Sequence, residues 1–381
     1  MEKKHIVIIP ANGVFIKQDL TLHKIAMFFK ECSHIKVTVL FIKDESQIDI
    51  LSFFDNYIHV PDLNALVEEL KNLKYDLAIH RCWMHRYKFA GILAENFSNM
   101  VFYIKDWFDE MSKEEYKFLF KTDEDYEGIK KLFCSKNKVL SHYGHTYTNK
   151  LVKKYNLSKK QFMFFPEYCS KENFHFRTNI SYSNEKKLLY AAQIVSTSKP
   201  ENLSEAKQIF NTMKKFTKQK VLVDFITLPF NYDRIFDPLN QEVWADYLYE
   251  HYFNEYFKIK KGIAFDATIF QEYHFGIPGG LYYNKKDVTC INACNAITSK
   301  ISLYLEAGIP LLVNKKWKEL AKLVVENDIG ILVNNDDLDN INKKLRISQK
   351  RYIQLVENVY KFREKFTYNN KTMKPILEML A

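Results

Sequence analysis

Short runs of branched apolar residues alternate with helical segments along most of the chain, and this rhythm restricts the fold more than any other feature. In the first third, residues 6–10, 37–42, 57–60, 77–79 and 100–104 read as buried strands. Between them, 20–30, 63–73 and 85–97 carry helical spacing. Strands separated by helices of about ten residues form parallel βαβ units. An α/β protein with a doubly wound sheet is therefore expected, with ligands beyond the carboxyl ends of its strands.

The rhythm resumes further on. An acidic helical stretch at 111–131 precedes a strand, helix and strand in KNKVLSHYGHTYTNKLVKKYNLSKKQFMFFPEYCS. A polar segment, 181–187, opens a second series, with strands expected at 188–192, 221–226, 262–265, 280–283, 311–313 and 329–333. Helices are expected at 204–216, 241–256, 317–326, 338–345 and 351–366. At 381 residues the chain exceeds what one core serves, and 47% hydrophobic residues suffice for two.

A net charge of +10 favours anionic partners. No arginine-rich tail, zinc-finger spacing or RNA-binding aromatic motif accompanies it, so nucleic acid is not an expected partner. The run KLVKKYNLSKK at 150–160 suits either a solvated helix end or peripheral contact with an anionic membrane. No apolar run reaches membrane-spanning length, and MEKKHIVIIPA enters a strand without the apolar stretch of a leader. A cytoplasmic protein, possible at the inner membrane face, is the expectation. The six cysteines are scattered, and the lone C-x3-C pair Cys290 and Cys294 makes no metal site.

The most chemically informative stretch is NAITSKISLYLEAGIPLLV, from Asn295 to Val313. Thr298 and Ser299 are placed to cap a helix whose first turn carries Lys300, and open amides there would attract an anion. Gly308 and Pro310 would end that helix before a buried strand. With K-[IL]-x-x-Y-L-x-A-G-[IK]-P at its centre, the stretch resembles the nucleotide-sugar site of GT-B glycosyltransferases. From 186 to 345 the chain resembles the nucleotide-binding half of glycosyltransferase family 4, in particular the bacterial galactofuranosyltransferase and adhesin-glucosyltransferase group. The matching positions are Asn295, Lys300, Ser302, Tyr304, Leu305, Ala307, Gly308 and Pro310, followed by KKWKELAKLVVENDIGILV.

That resemblance implies a GT-B fold, two Rossmann-like doubly wound domains facing each other across a cleft. Residues 1–180 would bind acceptor, 181–350 would bind the nucleotide sugar, and 351–381 would cross back to the first domain. The donor would meet Asn295, Thr298, Ser299, Lys300 and Tyr304, together with Gln193, Ser196, Thr197 and Lys199 of the loop in LLYAAQIVSTSKP. On the acceptor side stand Asn12, Gly13 and Arg81, with Asp106 as candidate base and His80 as a weaker candidate. His142 and His145 are further candidates for lining the cleft.

Two departures qualify the match. Leu303 occupies the place where most family 4 enzymes have a ribose-binding Glu, and Ile297 or Thr298 replaces the group's proline. Glu272 to Pro278, EYHFGIP, looks like an E-G-F-G-x-P loop but stands too far from Gly308 to be read as one. The expected activity is metal-independent transfer, with no cofactor, from a nucleotide sugar such as a UDP-hexose to a surface glycan, glycolipid or glycoprotein. A non-catalytic GT-B partner subunit and a nucleotide-sugar epimerase are the alternatives.

Overall fold

A computed structural model of the chain describes residues 3–11, 20–42, 52–83, 86–105, 107, 112–120, 122–178, 180–183, 185–192, 194–196, 205–262, 267–285 and 294–380. The chain divides into two compact units, Met1–Pro166 with Tyr368–Ala381, and Glu167–Thr367.

Among the described residues the first unit holds seven parallel strands: β1 (Lys4–Ile9), β2 (Ile35–Phe41), β3 (Asn56–His59), β4 (Leu77–Cys82), β5 (Met100–Ile104), β6 (Lys138–Ser141) and β7 (Phe162–Phe164). Their order is β3-β2-β1-β4-β5-β6-β7. Ile6, Val7, Ile8 and Ile9 are all fully buried, so β1 is covered on both faces. That is why such strands read as continuous apolar runs rather than as alternating ones. Helices α1 (Leu20–Glu31), α2 (Leu63–Asn72) and α3 (Tyr87–Asn96) connect the early strands. Asp62 caps α2 by accepting from Ala65 N at 2.9 Å, while Leu66, Val67 and Leu70 turn inward. The acidic stretch expected at 111–131 is two helices, α4 (Lys113–Phe120) and α5 (Glu124–Cys134), and α6 (His145–Lys154) follows β6.

Among the described residues the second unit holds six parallel strands: β8 (Lys187–Ala191), β9 (Leu222–Thr227), β10 (Phe257–Lys261), β11 (Phe275–Gly276), β12 (Leu311–Asn314) and β13 (Gly330–Val333). The order β10-β9-β8-β11-β12-β13 is the 3-2-1-4-5-6 winding of a Rossmann sheet, reversing between β8 and β11. Around it lie α7 (Glu205–Lys218), α8 (Pro229–Phe236), α9 (Gln241–Phe253), α10 (Lys300–Glu306), α11 (Lys318–Asn327), α12 (Ile341–Lys344) and α13 (Gln349–Lys365). One core joins Leu188, Val223, Phe225, Phe257 and Leu312 of the strands to Met213 of α7 and to Tyr352, Leu355 and Val356 of α13. Each such side chain contributes about 1.5–3 kcal/mol by leaving water.

Four expectations change. The boundary between the units falls at Pro166 rather than at 180, and the helix expected at 351–366 packs within the second unit, so the return to the first unit begins at Tyr368. The strand expected at 280–283 is absent; the central strand is β11, inside the Glu272 to Pro278 segment. Pro278 cannot donate to a sheet ladder, and Gly279 and Gly280 leave the sheet directly after it. The strand expected at 262–265 is β10, shifted to Phe257–Lys261, with 263–266 outside the described residues.

Candidate functional site

In the second unit the reversal of winding puts the carboxyl ends of β8 and β11 side by side, and Tyr304 joins them. Its buried hydroxyl accepts from Ala191 N at 2.8 Å and donates to Ile277 O at 3.0 Å. Burial pushes the phenol upward, which keeps it a donor. Gly276 makes room for the ring, because a Cβ there would stand 2.4 Å from it. Tyr304 is therefore a brace beneath the site, and its expected direct contact with donor is corrected: the side chain is completely enclosed.

Lys300 lies one helical turn before Tyr304, on the same face of α10. Its Nζ stands 5.5 Å from the centre of the Tyr190 ring, which brings the charge to the end of β8. The capping expectation is corrected. Thr298 Oγ1 donates instead to Pro278 O at 2.9 Å, and neither Thr298 nor Ser299 makes a side-chain cap. Ile301 N and Ser302 N bond to the carbonyls of Thr298 and Ser299, both at 3.2 Å. These two amides are occupied, and Lys300 supplies a side-chain positive charge at this helix start. Gly308, at φ +73°, closes the helix, with Ile309 N bonded to Tyr304 O at 2.8 Å.

Three further segments meet this point. After β8, Ile194 N donates to Asn231 Oδ1 at 2.9 Å, and Thr227 Oγ1 bonds to the same oxygen at 2.6 Å. Ser196 is buried and donates to Val243 O at 2.6 Å, so it anchors the loop to α9 instead of facing a donor. After β11, Asn314 Nδ2 donates to Leu281 O at 2.6 Å, and Asn335 bonds both the N–H and the C=O of Tyr283. The turn before α10 contains half-buried Asn295. Gln193, Thr197 and Lys199 lie outside the described residues.

The Glu272 to Pro278 segment, set aside on distance along the chain, borders the site through β11. Pro278, Gly279 and Gly280 follow the end of that strand, beside the turn before Lys300. The consecutive glycines after a proline were the sequence signal. Asn231, Asn314 and Asn335 brace the loops, and nothing in the sequence marked them.

In the first unit, β1 and β4 are the strands at the reversal. His80 on β4 is fully buried, with Nδ1 3.1 Å from Ile9 O and its ring edge-on to Phe89 and Phe102. Burial lowers it to about 3, so it stays neutral in the core, and its candidacy as a catalytic base is corrected. Arg81 is also buried. Its guanidinium lies 4.1 Å over the Tyr103 ring and donates to Thr21 Oγ1 at 3.2 Å, fastening α1 to the sheet, so the residue expected to contact acceptor is engaged inside the unit. His142 is buried and held well below its ordinary value, first by burial and then by the charges of Lys105 and Arg81. His145 opens α6, its ring 5.0 Å from Phe164. Asn12, Gly13 and Asp106 lie outside the described residues.

Residues 269–379 match the family model described as Glucosyltransferase 3-like, C-terminal domain. The match spans β11, the turn before Lys300 and α10. HepE of Anabaena, solved in complex with UDP-glucose, is 11% identical and superposes with a TM-score of 0.64, covering 98% of each chain. This chain has the GT-B fold. A glycosyltransferase from Rickettsia africae ESF-5 shares that fold at 10% identity and a TM-score of 0.62, over 100% of this chain and 98% of that one. WaaG, a glycosyltransferase involved in lipopolysaccharide biosynthesis, does so at 10% identity and a TM-score of 0.58, over 98% of each. No curated protein matches the sequence significantly. The match to a glucosyltransferase domain on this fold supports glycosyltransferase activity. Among the described residues no helix is long and apolar enough to cross a membrane, and no group of three His, Cys, Asp or Glu side chains is placed to hold a metal ion.

Proposed function

We propose that the chain transfers a hexosyl group from UDP-glucose or a similar UDP-hexose to a bacterial surface glycan, glycolipid or glycoprotein. The observation that carries this reading is the convergence of the β8 loop, the β11 loop and Lys300 on Tyr304, at the sheet's point of reversal. Lys300 would neutralise the leaving diphosphate by charge-assisted hydrogen bonds, a role that needs no protein-held metal. Lys199 and Gln193, on the loop after β8, would add a second cation and a polar contact to the donor. Asn295, Thr298 and Ser299 would line the turn beside it.

Asp106, two residues past β5, is assigned as the base that takes the proton from the acceptor hydroxyl, and Asn12 and Gly13, past β1, as acceptor contacts. The enzyme would work in the cytoplasm, with the exposed lysines 150, 153 and 154 of α6 touching anionic lipid at the inner membrane face.

The test is UDP release from UDP-glucose in the presence of glycan acceptors. Acceptor-dependent release supports transfer; conversion of donor without acceptor would indicate an epimerase. Leu303, standing where a ribose carboxylate is common, favours a second reading as a non-catalytic partner subunit. Donor binding without turnover on any acceptor would select it.

A further inference from the structure

A second concave site lies at the opposite ends of the same strands. A pocket of about 380 Å³ is lined by Arg177, Thr178, Ser181, Lys187, Gln271 and His274, among others. Lys187 opens β8 and His274 immediately precedes β11, so the pocket sits at the amino-terminal edge of the sheet, whereas Lys300 and Tyr304 serve the carboxyl edge.

Arg177 is the central residue. It is only 8% exposed; its backbone N donates to Tyr360 Oη at 2.9 Å and its Nη1 donates to Tyr352 Oη. Its Nε is buried and has no partner. The guanidinium, part of the pocket wall, carries a fixed positive charge that favours an oxyanion there. Glu272, the carboxylate of the pocket, is already engaged by Lys187 at 3.2 Å and Lys260 at 3.0 Å. Thr178, Ser181 and Gln271 add hydroxyl and amide groups.

The surroundings agree in sign. His274 Nδ1 accepts from Lys187 N at 3.0 Å, which places the ring proton on Nε2. Burial and then the charges of Arg177, Lys186 and Lys187 push that imidazole down to about 4. Burial is the larger cause, and the three neighbouring cations act in the same direction.

We propose that this pocket binds a small phosphate-bearing anion, held by Arg177 with Lys187 and the neighbouring hydroxyls, at a site separate from the donor's. No function assigned above uses it, and it stands whether or not the donor reading does.

The experiment titrates inorganic phosphate and, separately, glucose 6-phosphate into the full-length protein at constant ionic strength. Calorimetry gives affinity, and proton NMR follows the His274 ring. Saturable binding is expected, with an upward movement of His274 titration in the bound form. Arg177→Gln and Lys187→Gln should each weaken binding at least tenfold, while Lys300→Ala leaves it unchanged. Lys187 is partly exposed, so its replacement serves even if the Arg177 variant folds poorly. Tighter binding of the sugar phosphate identifies an ester as the occupant; equal binding identifies free phosphate. Absence of saturable binding, indifference to both pocket substitutions, or loss in Lys300→Ala would overturn the proposal.

Discussion

The hydroxyl of Tyr304 accepts a hydrogen bond from the amide of Ala191 at 2.8 Å, across a sequence separation of 113 residues. The same hydroxyl donates to Ile277, so one oxygen fixes the spacing of the two strand ends at which the donor would bind. Tyr304→Phe leaves a buried N–H and a buried C=O without this partner. The expected cost is about 1–3 kcal/mol of stability, read by urea denaturation, together with a raised KM for donor. A variant as stable as the parent would show that the brace is dispensable.

Arg363 supports the other end of the same helix. Its Nη1 donates to Glu306 O at 2.8 Å and to His175 O at 2.7 Å, while the guanidinium lies 4.4–4.6 Å from the rings of Phe174, Tyr360 and Phe176. Arg363→Ala empties this enclosure and strands the carbonyls, with an expected loss of about 3–5 kcal/mol. Arg363→Lys keeps the charge but not the planar fork, and should fall between. Thermal unfolding of the three proteins checks the order.

His80 predicts a pH dependence. Its folded value, about 3, lies below the ordinary value of 6.5, so the unfolded chain binds the proton first as pH falls. Stability attributable to His80 is fully present above about pH 6.5 and is lost progressively below it, by about 1.4 kcal/mol per pH unit. His142 and His274 add to the same trend. His80→Leu should flatten the slope of stability against pH between 6 and 4 by about one proton. Parallel curves for the two proteins would mean that His80 is not buried neutral.

If Lys300 rather than a metal carries the diphosphate charge, EDTA should leave acceptor-dependent UDP release within about twofold of its untreated rate, since the charge-assisted contact is supplied by protein. Loss of activity restored by magnesium would assign that role to a metal.

Much of the architecture was legible because both sheets are parallel and covered on both faces, which turns strands such as Ile6 to Ile9 into apolar runs. β11 was missed for a matching reason. Only Phe275 and Gly276 pair, too few residues for a run to show, and its place between β8 and β12 is set by packing against Tyr304. The short helix that starts at Lys300 and is closed by Gly308 was legible from its own spacing. The burial of His80 and Arg81 was not, because a polar residue on a strand looks the same in sequence whether it faces ligand or Phe102 and Tyr103. Thr298 behaved likewise: the residue type suits a cap, yet the carbonyl of Pro278 lies within reach and takes its hydrogen bond. Propensity gave way there to a tertiary partner.

In the proposed reaction Lys300 holds the diphosphate of a nucleotide sugar at the carboxyl edge of the second unit's sheet. Titrating UDP-glucose into the parent protein and into Lys300→Ala by calorimetry tests it most directly. Saturable binding by the parent, weakened at least tenfold in the variant, is the predicted result, as expected for loss of a charge-assisted contact of about 1.5–3 kcal/mol. Equal affinity in both proteins, or no binding by the parent, would contradict it.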